Sequence, residues 1–208
     1  MSSARQEILA AVREAVREAP TVPAQAPQPT LPPTDRAGML DRFAELVADY
    51  RATVVRCRSQ EVSVHVLSAL RDARHVLMPE GLPEALVAAV TDRLGDEGVS
   101  VGDVADGELE GFEAVVTSCA AGIAATGTVV LDHGDGQGRR ALTLLPDLHV
   151  CIVRAGQVVP DVPDAVRRLD PLRPQTWISG PSATSDIELS RVEGVHGPRT
   201  LVVLLVED

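Results

Sequence analysis

The sequence predicts an α/β fold, with an open, mostly parallel sheet and helices on both faces. Short apolar runs rich in valine, leucine and isoleucine alternate with amphipathic stretches of helical period along most of the chain. Such alternation is typical of strands joined by crossover helices, which place the strands parallel to one another. The chain has 208 residues, of which 45% are hydrophobic, and this is enough for one full core.

The N-terminal part of the chain predicts an appendage to this core. Residues 1–19 form an amphipathic helix, because apolar residues recur on one helical face and charged residues on the other. Residues 20–35 form a Pro-rich linker, since proline lacks an amide hydrogen and fixes φ. The α/β domain then occupies residues 36–208. The helix is either a loose arm or a segment that docks its apolar stripe on a neighbouring surface, and the sequence leaves both open.

Within the α/β domain, the hydrophobic period predicts each element in order. Helices are predicted at about 36–50, from Ser59, from Pro83 to Leu94, and at 161–169. Strands are predicted at 52–56, 75–78, 98–101, 113–118, 128–131, 148–153, 175–179 and 200–206. The glycine-rich stretch 132–140 is predicted to be the wide tip of a hairpin. The last two strands are expected to close the sheet.

The composition excludes several classes of protein. The net charge is −11 and no basic stripe is visible, so binding to nucleic acid or to an anionic membrane surface is not expected. The N-terminus lacks the apolar core of a leader peptide and no apolar run is long enough to cross a bilayer, so we expect a cytoplasmic protein with no membrane span. Cys57, Cys119 and Cys151 are far apart and form no C-x-x-C pair, which predicts free buried thiols, no metal site and no cofactor in this chain.

Glycine, proline and hydroxyl residues are densest at residues 178–188, which read Ile-Ser-Gly-Pro-Ser-Ala-Thr-Ser-Asp-Ile-Glu. The serine and glutamate near its end fit a capping box, so a helix is predicted to start there, after a strand. A helix start offers free N–H groups, and the hydroxyls add donors for a small carboxylate or phosphate. The alternative is that these residues only cap the helix. The candidate ligand-binding residues here are Gly180, Ser182, Thr184 and Ser185.

The stretch at 195–199, Val-His-Gly-Pro-Arg, leads into the last strand and supplies two further candidates. His196 is a candidate proton carrier near neutral pH, although a lone histidine is often structural. Arg199 could pair with Asp186, with Glu193 or with a ligand carboxylate, and is a candidate ligand-binding residue.

The segment of small residues at 120–128 is expected to lie next to the loop at 179–199. Small residues let a ligand or another backbone come close, and Thr126 and Thr128 could hydrogen-bond a ligand. The alternative is tight packing of a helix on the sheet. The dinucleotide and phosphate-loop fingerprints are both missing from the chain.

The segments 123–131, 144–149, 178–188 and 194–198 together resemble the LUD-domain family, and the resemblance covers roughly residues 36–206. It implies a fold similar to the sugar-phosphate isomerase and CoA-transferase group. It also implies a role in oxidising L-lactate to pyruvate, in a complex with two iron–sulfur subunits that carry the clusters. Similar proteins often have a glutamate where this chain has Ala125. If that carboxylate serves chemistry in them, this chain has either lost it or uses Asp186 or Glu188 instead. The candidate catalytic residues are therefore Asp186, Glu188 and the candidate proton carrier His196.

Three functions follow from these observations. In the first, the chain is a subunit without its own redox centre in the L-lactate oxidising system and binds a small anion or a partner at the 179–199 loop. Electrons then pass to the cofactor of a partner subunit. In the second, it is a stand-alone enzyme of the isomerase and CoA-transferase type that acts on a phosphorylated or CoA-linked small molecule. In the third, it is an interaction module and the loop is purely structural.

Overall fold

The computed structural model of the chain describes residues 4–17, 35–184, 192–193 and 197–208. The helices in these ranges are α1 (Ala4–Arg17), α2 (Arg36–Asp49), α3 (Val62–Ala69), α4 (Glu84–Leu94) and α5 (Val162–Arg168). They match the predicted positions, and α3 is preceded by a short 3-10 turn at Ser59–Glu61. Asp35 caps α2 by accepting a hydrogen bond from the amide of Gly38 at 2.7 Å. The side chains of α1 are all exposed, and most of the predicted 20–35 linker lies outside the described residues.

A six-stranded sheet forms the centre of the fold, and every strand pairing in it is parallel. The strand order is β1-β12-β7-β4-β2-β3. The strands are β1 (Thr53–Cys57), β2 (Val76–Met78), β3 (Val99–Val101), β4 (Ala114–Thr117), β7 (Leu148–Arg154) and β12 (Thr200–Val206). The predicted open parallel α/β sheet is therefore confirmed.

Helices cover both faces of this sheet, because alternate residues of each strand point to opposite sides. On β7, Val150 and Ile152 pack into a core with α3 and α4, whereas Cys151 and Val153 pack into a second core with α2. The side chain of Phe43 from α2 is fully buried in the second core. Strands that are buried on both faces explain why the sequence runs here are continuously apolar.

A second, four-stranded sheet lies beside the first and was not separated from it by the sequence pattern. Its strands are β5 (Ala121–Ile123), β6 (Thr128–Leu131), β8 (Val158–Val159) and β9 (Thr176–Ile178), in the order β8-β5-β6-β9. The expectation that the last two predicted strands close one sheet is wrong. Strand β9 belongs to the second sheet, and β12 lies inside the first, between β1 and β7. Local periodicity predicts strands but does not fix their partners.

The hairpin predicted around residues 132–140 is also wrong, because the strands before and after this loop belong to different sheets. The hairpin in this region instead joins β5 to β6. The loop packs on the protein through its own polar groups. The amide of Gly136 donates to the carbonyl of Glu80 at 2.6 Å, and the buried Gln137 side chain accepts from the amide of Asp132 at 2.6 Å. These contacts take the place of strand pairing.

Strands β10 (Ala183–Thr184) and β11 (Val192–Glu193) pair antiparallel, and the helix predicted to start near Ser185 lies outside the described residues. No helix in the described ranges is long and apolar enough to cross a bilayer.

Candidate functional site

The described part of the 178–199 stretch forms one wall of a cavity of about 270 Å³. The opposite wall comes from the first residues of β7 and β12, so the cavity lies at the edge where these strands begin, and we name it the amino-edge cavity. Its polar lining residues are Arg140, Thr143, His149, Thr176, Ser179 and Ser182, and its apolar ones include Leu144, Trp177, Ile178 and Leu201. The cavity therefore combines a cation, hydroxyls and an imidazole with an apolar wall.

Gly180 sets the course of the chain at this wall. Its φ is +97°, and a Cβ at this position would lie 2.7 Å from the carbonyl oxygen of Tyr50, at the end of α2. Only glycine can adopt this positive φ and also lie this close to the Tyr50 carbonyl without strain. The amide of Ser182 then donates to the carbonyl of Pro198 at 2.8 Å, which joins the two halves of the stretch. The structure thus gives Gly180 a packing role, and its predicted ligand-binding role stays a prediction.

A chain of hydroxyls links this wall to the 120–128 segment. Thr128 Oγ1 lies 2.7 Å from Thr126 Oγ1 and 2.8 Å from Ser179 Oγ. The predicted adjacency of the two segments is confirmed by this contact. Because the Thr128 hydroxyl is buried and serves two neighbours, it acts within the protein, as a buried hydroxyl must to replace its lost water.

Arg140 supplies the positive charge of the amino-edge cavity. Its guanidinium makes no hydrogen bond or ion pair with any residue that the structure describes, although its carbonyl accepts from the Thr143 hydroxyl at 3.1 Å. The neighbouring Arg139 differs, because it pairs with Asp103 at 2.7 Å and with Asp106 at 2.6 Å, away from the cavity. An unpaired guanidinium beside hydroxyls is a suitable partner for a carboxylate or phosphate.

His149 forms the floor of the cavity and is almost fully buried. Its Nε2 lies 2.8 Å from Thr117 Oγ1 on the neighbouring strand. The polar contacts continue through Cys151 and Cys119 to Gln157, whose Oε1 lies 3.6 Å from Cys119 Sγ. We name these five residues the polar row.

The two thiols of the polar row share a hydrogen bond, and their pKa values move apart as a result. The hydrogen bond to Cys151 raises the pKa of Cys119 well above its usual range, and burial raises it further. The same contact lowers the pKa of Cys151, and hydrogen bonds with His149 and Thr117 act in the same direction. All three cysteines are buried and free, as predicted, although two of them are in contact.

Several predicted site residues are not tested by this geometry. Ser185, Asp186, Glu188 and His196 lie outside the described residues. Thr184 lies in β10, where its backbone pairs with Val192. Arg199 pairs through its Nε with Asp147 Oδ1 at 3.1 Å on the surface, a partner that the sequence pattern does not indicate.

Arg140 and His149 line the cavity but were not among the predicted site residues, although His149 ends the 144–149 segment of the family resemblance. A weak signal existed for His149, because it is the one polar residue inside the apolar run 148–153, and a buried imidazole needs a hydrogen-bond partner. Arg140 follows a glycine-rich loop next to a second arginine, and nothing local distinguishes the two. Over the ranges that the structure covers, no group of three or more His, Cys, Asp and Glu side chains is arranged to hold a metal ion.

Known proteins are similar to this chain over most of its length. The sequence model of the LUD domain family matches residues 40–206. Lactate utilization protein C of Deinococcus radiodurans is 41% identical over 209 residues, which cover 99% of this chain and 96% of that protein. Lactate utilization protein C of Bacillus pumilus is 40% identical over 94 residues, which cover 41% of this chain and 39% of that protein. The crystal structure of a DUF162 family protein from Deinococcus radiodurans superposes with a TM-score of 0.68 and 36% identity, covering 84% of this chain and 100% of that one.

Proposed function

Because this chain belongs to the LUD domain family, we propose that it acts in lactate utilisation, as a subunit without its own redox centre in a system that oxidises L-lactate to pyruvate. Two relatives named Lactate utilization protein C support this, one of them aligned over nearly its whole length. The electron acceptor is assigned to partner subunits, whose iron–sulfur clusters the family resemblance implies. In this proposal the chain supplies binding and orientation, and the partner's cofactor receives the electrons.

The observation that carries the binding role is Arg140, which lines the amino-edge cavity and whose guanidinium has no partner among the residues that the structure describes. A small 2-hydroxy or 2-oxo acid offers a carboxylate, which Arg140 would bind with charge-assisted hydrogen bonds. The hydroxyl of Ser182 and the imidazole of His149 line the same cavity and would face the remaining oxygen of such a ligand. A volume of about 270 Å³ suits a ligand of a few heavy atoms.

The reaction needs a proton acceptor as well as an electron acceptor. Oxidation of L-lactate to pyruvate removes the proton of the hydroxyl group, and it removes a second proton and two electrons from the C–H bond of the carbon that bears this hydroxyl. His149 is the one ionisable side chain besides Arg140 among the described residues that line the cavity. An imidazole there could take the hydroxyl proton, with Thr117 at 2.8 Å fixing the ring. The two electrons of the broken C–H bond would pass to the partner subunit's cofactor, and the proton of that bond would be released to solvent.

Calorimetry on the full chain tests the binding role. L-lactate, pyruvate and inorganic phosphate are titrated separately, and the Ile178 methyl, which lines the cavity, is followed by NMR. Replacing Arg140 by glutamine should weaken binding at least about tenfold, since it removes a charge-assisted hydrogen bond. Arg139→Gln is the matched control, because it removes the same charge outside the cavity. No shift at Ile178 with any of these anions, or an equal loss in both variants, would contradict the role.

A separate experiment tests the place of the chain in a complex. The full chain is captured from lactate-grown cells, and the copurified material is assayed for iron, labile sulfide and lactate-dependent electron transfer. We expect iron–sulfur proteins to accompany the chain and the isolated chain to be inactive with lactate. Turnover of a sugar phosphate or a CoA thioester by the isolated chain would instead favour a stand-alone enzyme.

A further inference from the structure

A second hollow lies at the opposite edge of the first sheet. All six strands are parallel, so their carboxyl ends share one edge. Two cavities, of about 270 Å³ and 460 Å³, open at this edge. They share Leu82, Pro83, Ser118, Arg154 and Gln157 and therefore adjoin each other, and we name the two together the carboxyl-edge crevice. Open parallel sheets hold ligands in crevices at this edge.

The smaller chamber of the crevice is mainly apolar. Its walls include Val62 from α3, Leu86 from α4, Ile152 from β7 and Val206 from β12. Arg154, the last residue of β7, is the one charged side chain among the described residues that line it. An apolar chamber with a single cation at its mouth suits a ligand with an aliphatic body and an anionic head.

Arg154 is placed to receive such a head group. Its side chain is exposed and makes no hydrogen bond or close ion pair with any residue in the described ranges. The carboxylate of Asp208, held by the amide of Ser59 at 3.0 Å, interacts with it only through space. The other two arginines of the larger chamber are already engaged, since Arg168 donates to a carbonyl at 2.9 Å and Arg173 pairs with Asp132 at 3.0 Å.

The backbone that carries Arg154 is also fixed. Its amide donates to Gln157 Oε1 at 2.8 Å, and Gln157 Nε2 donates in turn to the carbonyl of Cys119 at 2.5 Å. The guanidinium therefore projects from a rigid frame that links the ends of β4 and β7. Anion binding would therefore have to order the Arg154 side chain but not its backbone.

We propose that the carboxyl-edge crevice binds a small organic anion with an aliphatic body, with its carboxylate or phosphate head on Arg154 and its chain in the apolar chamber. This site is separate from the amino-edge cavity and does not depend on the function proposed for that cavity. Because the chamber walls are apolar, affinity should rise about fourfold for each buried methylene group of the ligand. A bare inorganic anion would gain only the contact with Arg154.

The test compares hexanoate with acetate and inorganic phosphate on the full chain. The chain has five isoleucines, and Ile152 lines this crevice whereas Ile178 lines the amino-edge cavity. Isoleucine methyl NMR therefore reports the two sites separately. We expect hexanoate to shift the Ile152 methyl and to bind at least about tenfold more tightly than acetate or phosphate.

Two pairs of variants then locate the contacts. Arg154→Gln should weaken hexanoate binding at least about tenfold, whereas Arg58→Gln, which removes an exposed charge on the same edge outside the crevice, should not. Ala85→Glu adds a negative charge to the crevice wall and should also weaken binding. Ala88→Glu adds it elsewhere on α4 and should have no effect. Ala85 is exposed in the first turn of α4, where glutamate is compatible with the helix.

Several outcomes would overturn the proposal. They are no shift at Ile152 with hexanoate, equal affinity for hexanoate and phosphate, or unchanged binding in Arg154→Gln. Loss of hexanoate binding in Arg140→Gln but not in Arg154→Gln would place the ligand in the amino-edge cavity instead. Failure of L-lactate to shift Ile178 would contradict only the function proposed for the amino-edge cavity, because it leaves the Ile152 signal untouched.

Discussion

The polar row connects the two edges of the first sheet at the level of single residues. His149 lines the amino-edge cavity and Gln157 lines the carboxyl-edge crevice, while Thr117, Cys151 and Cys119 lie between them. In the described ranges, no buried side-chain nitrogen or oxygen lacks a hydrogen-bond partner. Removing one member of the row would leave its neighbour unsatisfied, which costs more than an ordinary hydrogen bond contributes.

Glu113 provides a prediction about pH at the residue scale. Its carboxylate accepts hydrogen bonds from the amides of Arg74 and His75, the latter at 3.0 Å, and these bonds lower the pKa of Glu113. Because folding lowers this pKa, the Glu113 carboxylate stabilises the folded chain at pH values above its unfolded pKa of about 4.3. This stabilisation is lost as the pH falls through the pKa of the folded chain. Glu113→Gln should therefore lower the free energy of unfolding by less than about 1 kcal/mol near neutral pH.

Urea denaturation of Glu113→Gln and the parent chain at about pH 7 and about pH 3.5 measures this effect. The difference between the two chains should shrink at the lower pH. The exposed Glu110→Gln is the control and should show no such trend. A difference that stays constant with pH would show that the Glu113 carboxylate charge is not its cause.

The sequence motifs predict some residues of the candidate sites but not others. Gly180, Ser182 and Thr128 stand out in the sequence, because glycine, proline and hydroxyl residues cluster around them. Arg140, His149 and Arg154 do not stand out in this way, because strands from distant parts of the chain bring each of them to its site. Their neighbours depend on strand order, which the hydrophobic period does not contain.

At the scale of elements, the small residues of 120–128 serve mainly to pack the β5–β6 hairpin on α2. A Cβ at Gly122 would lie 3.1 Å from the ring of Phe43. Gly127 has a φ of +59°, and its Cβ would lie 2.6 Å from the carbonyl carbon of Leu46. Of the two interpretations that the sequence left open, tight packing is therefore the one these glycines support.

The prediction at this scale is that Gly127→Ala strongly destabilises the fold. The substitution meets the backbone of α2, which cannot move as a flexible side chain could, and it also requires a left-handed conformation. We expect a loss of about 2–4 kcal/mol in the free energy of unfolding. Gly107→Ala is the matched control, since its Cβ would meet no atom within 4 Å, and it should change stability little. Equal effects in urea denaturation would contradict the packing role.

At the scale of the whole molecule, the final strand is the structural centre. Strand β12 pairs with β1 in a register that matches Thr53 with Val202, and it pairs with β7 on its other side. The elements were predictable from the hydrophobic period, but this insertion was not, because it joins segments from opposite ends of the chain. Pairing so distant in sequence also predicts slow folding, since the closure entropy is lost before the contacts form.

The two candidate sites lie at opposite edges of this sheet and share β7 and β12 as a wall. His149 and Leu201 stand near the starts of these strands, and Arg154 and Val206 stand at their ends. Each strand thus contributes to one site at each end. A disturbance of β12 would therefore reach both sites together.

Truncation at each end of the chain tests this organisation. A chain that ends at Arg199 lacks β12, in which every residue but Thr200 is buried, so both cores and both neighbouring strands lose their partner. We expect it to show no cooperative thermal unfolding. A chain that begins at Asp35 lacks α1, none of whose residues is buried, and should keep the parent's melting temperature within about 2 °C. Circular dichroism during heating distinguishes the two results. If the chain that ends at Arg199 unfolds cooperatively near the parent's melting temperature, the first sheet is stable without β12.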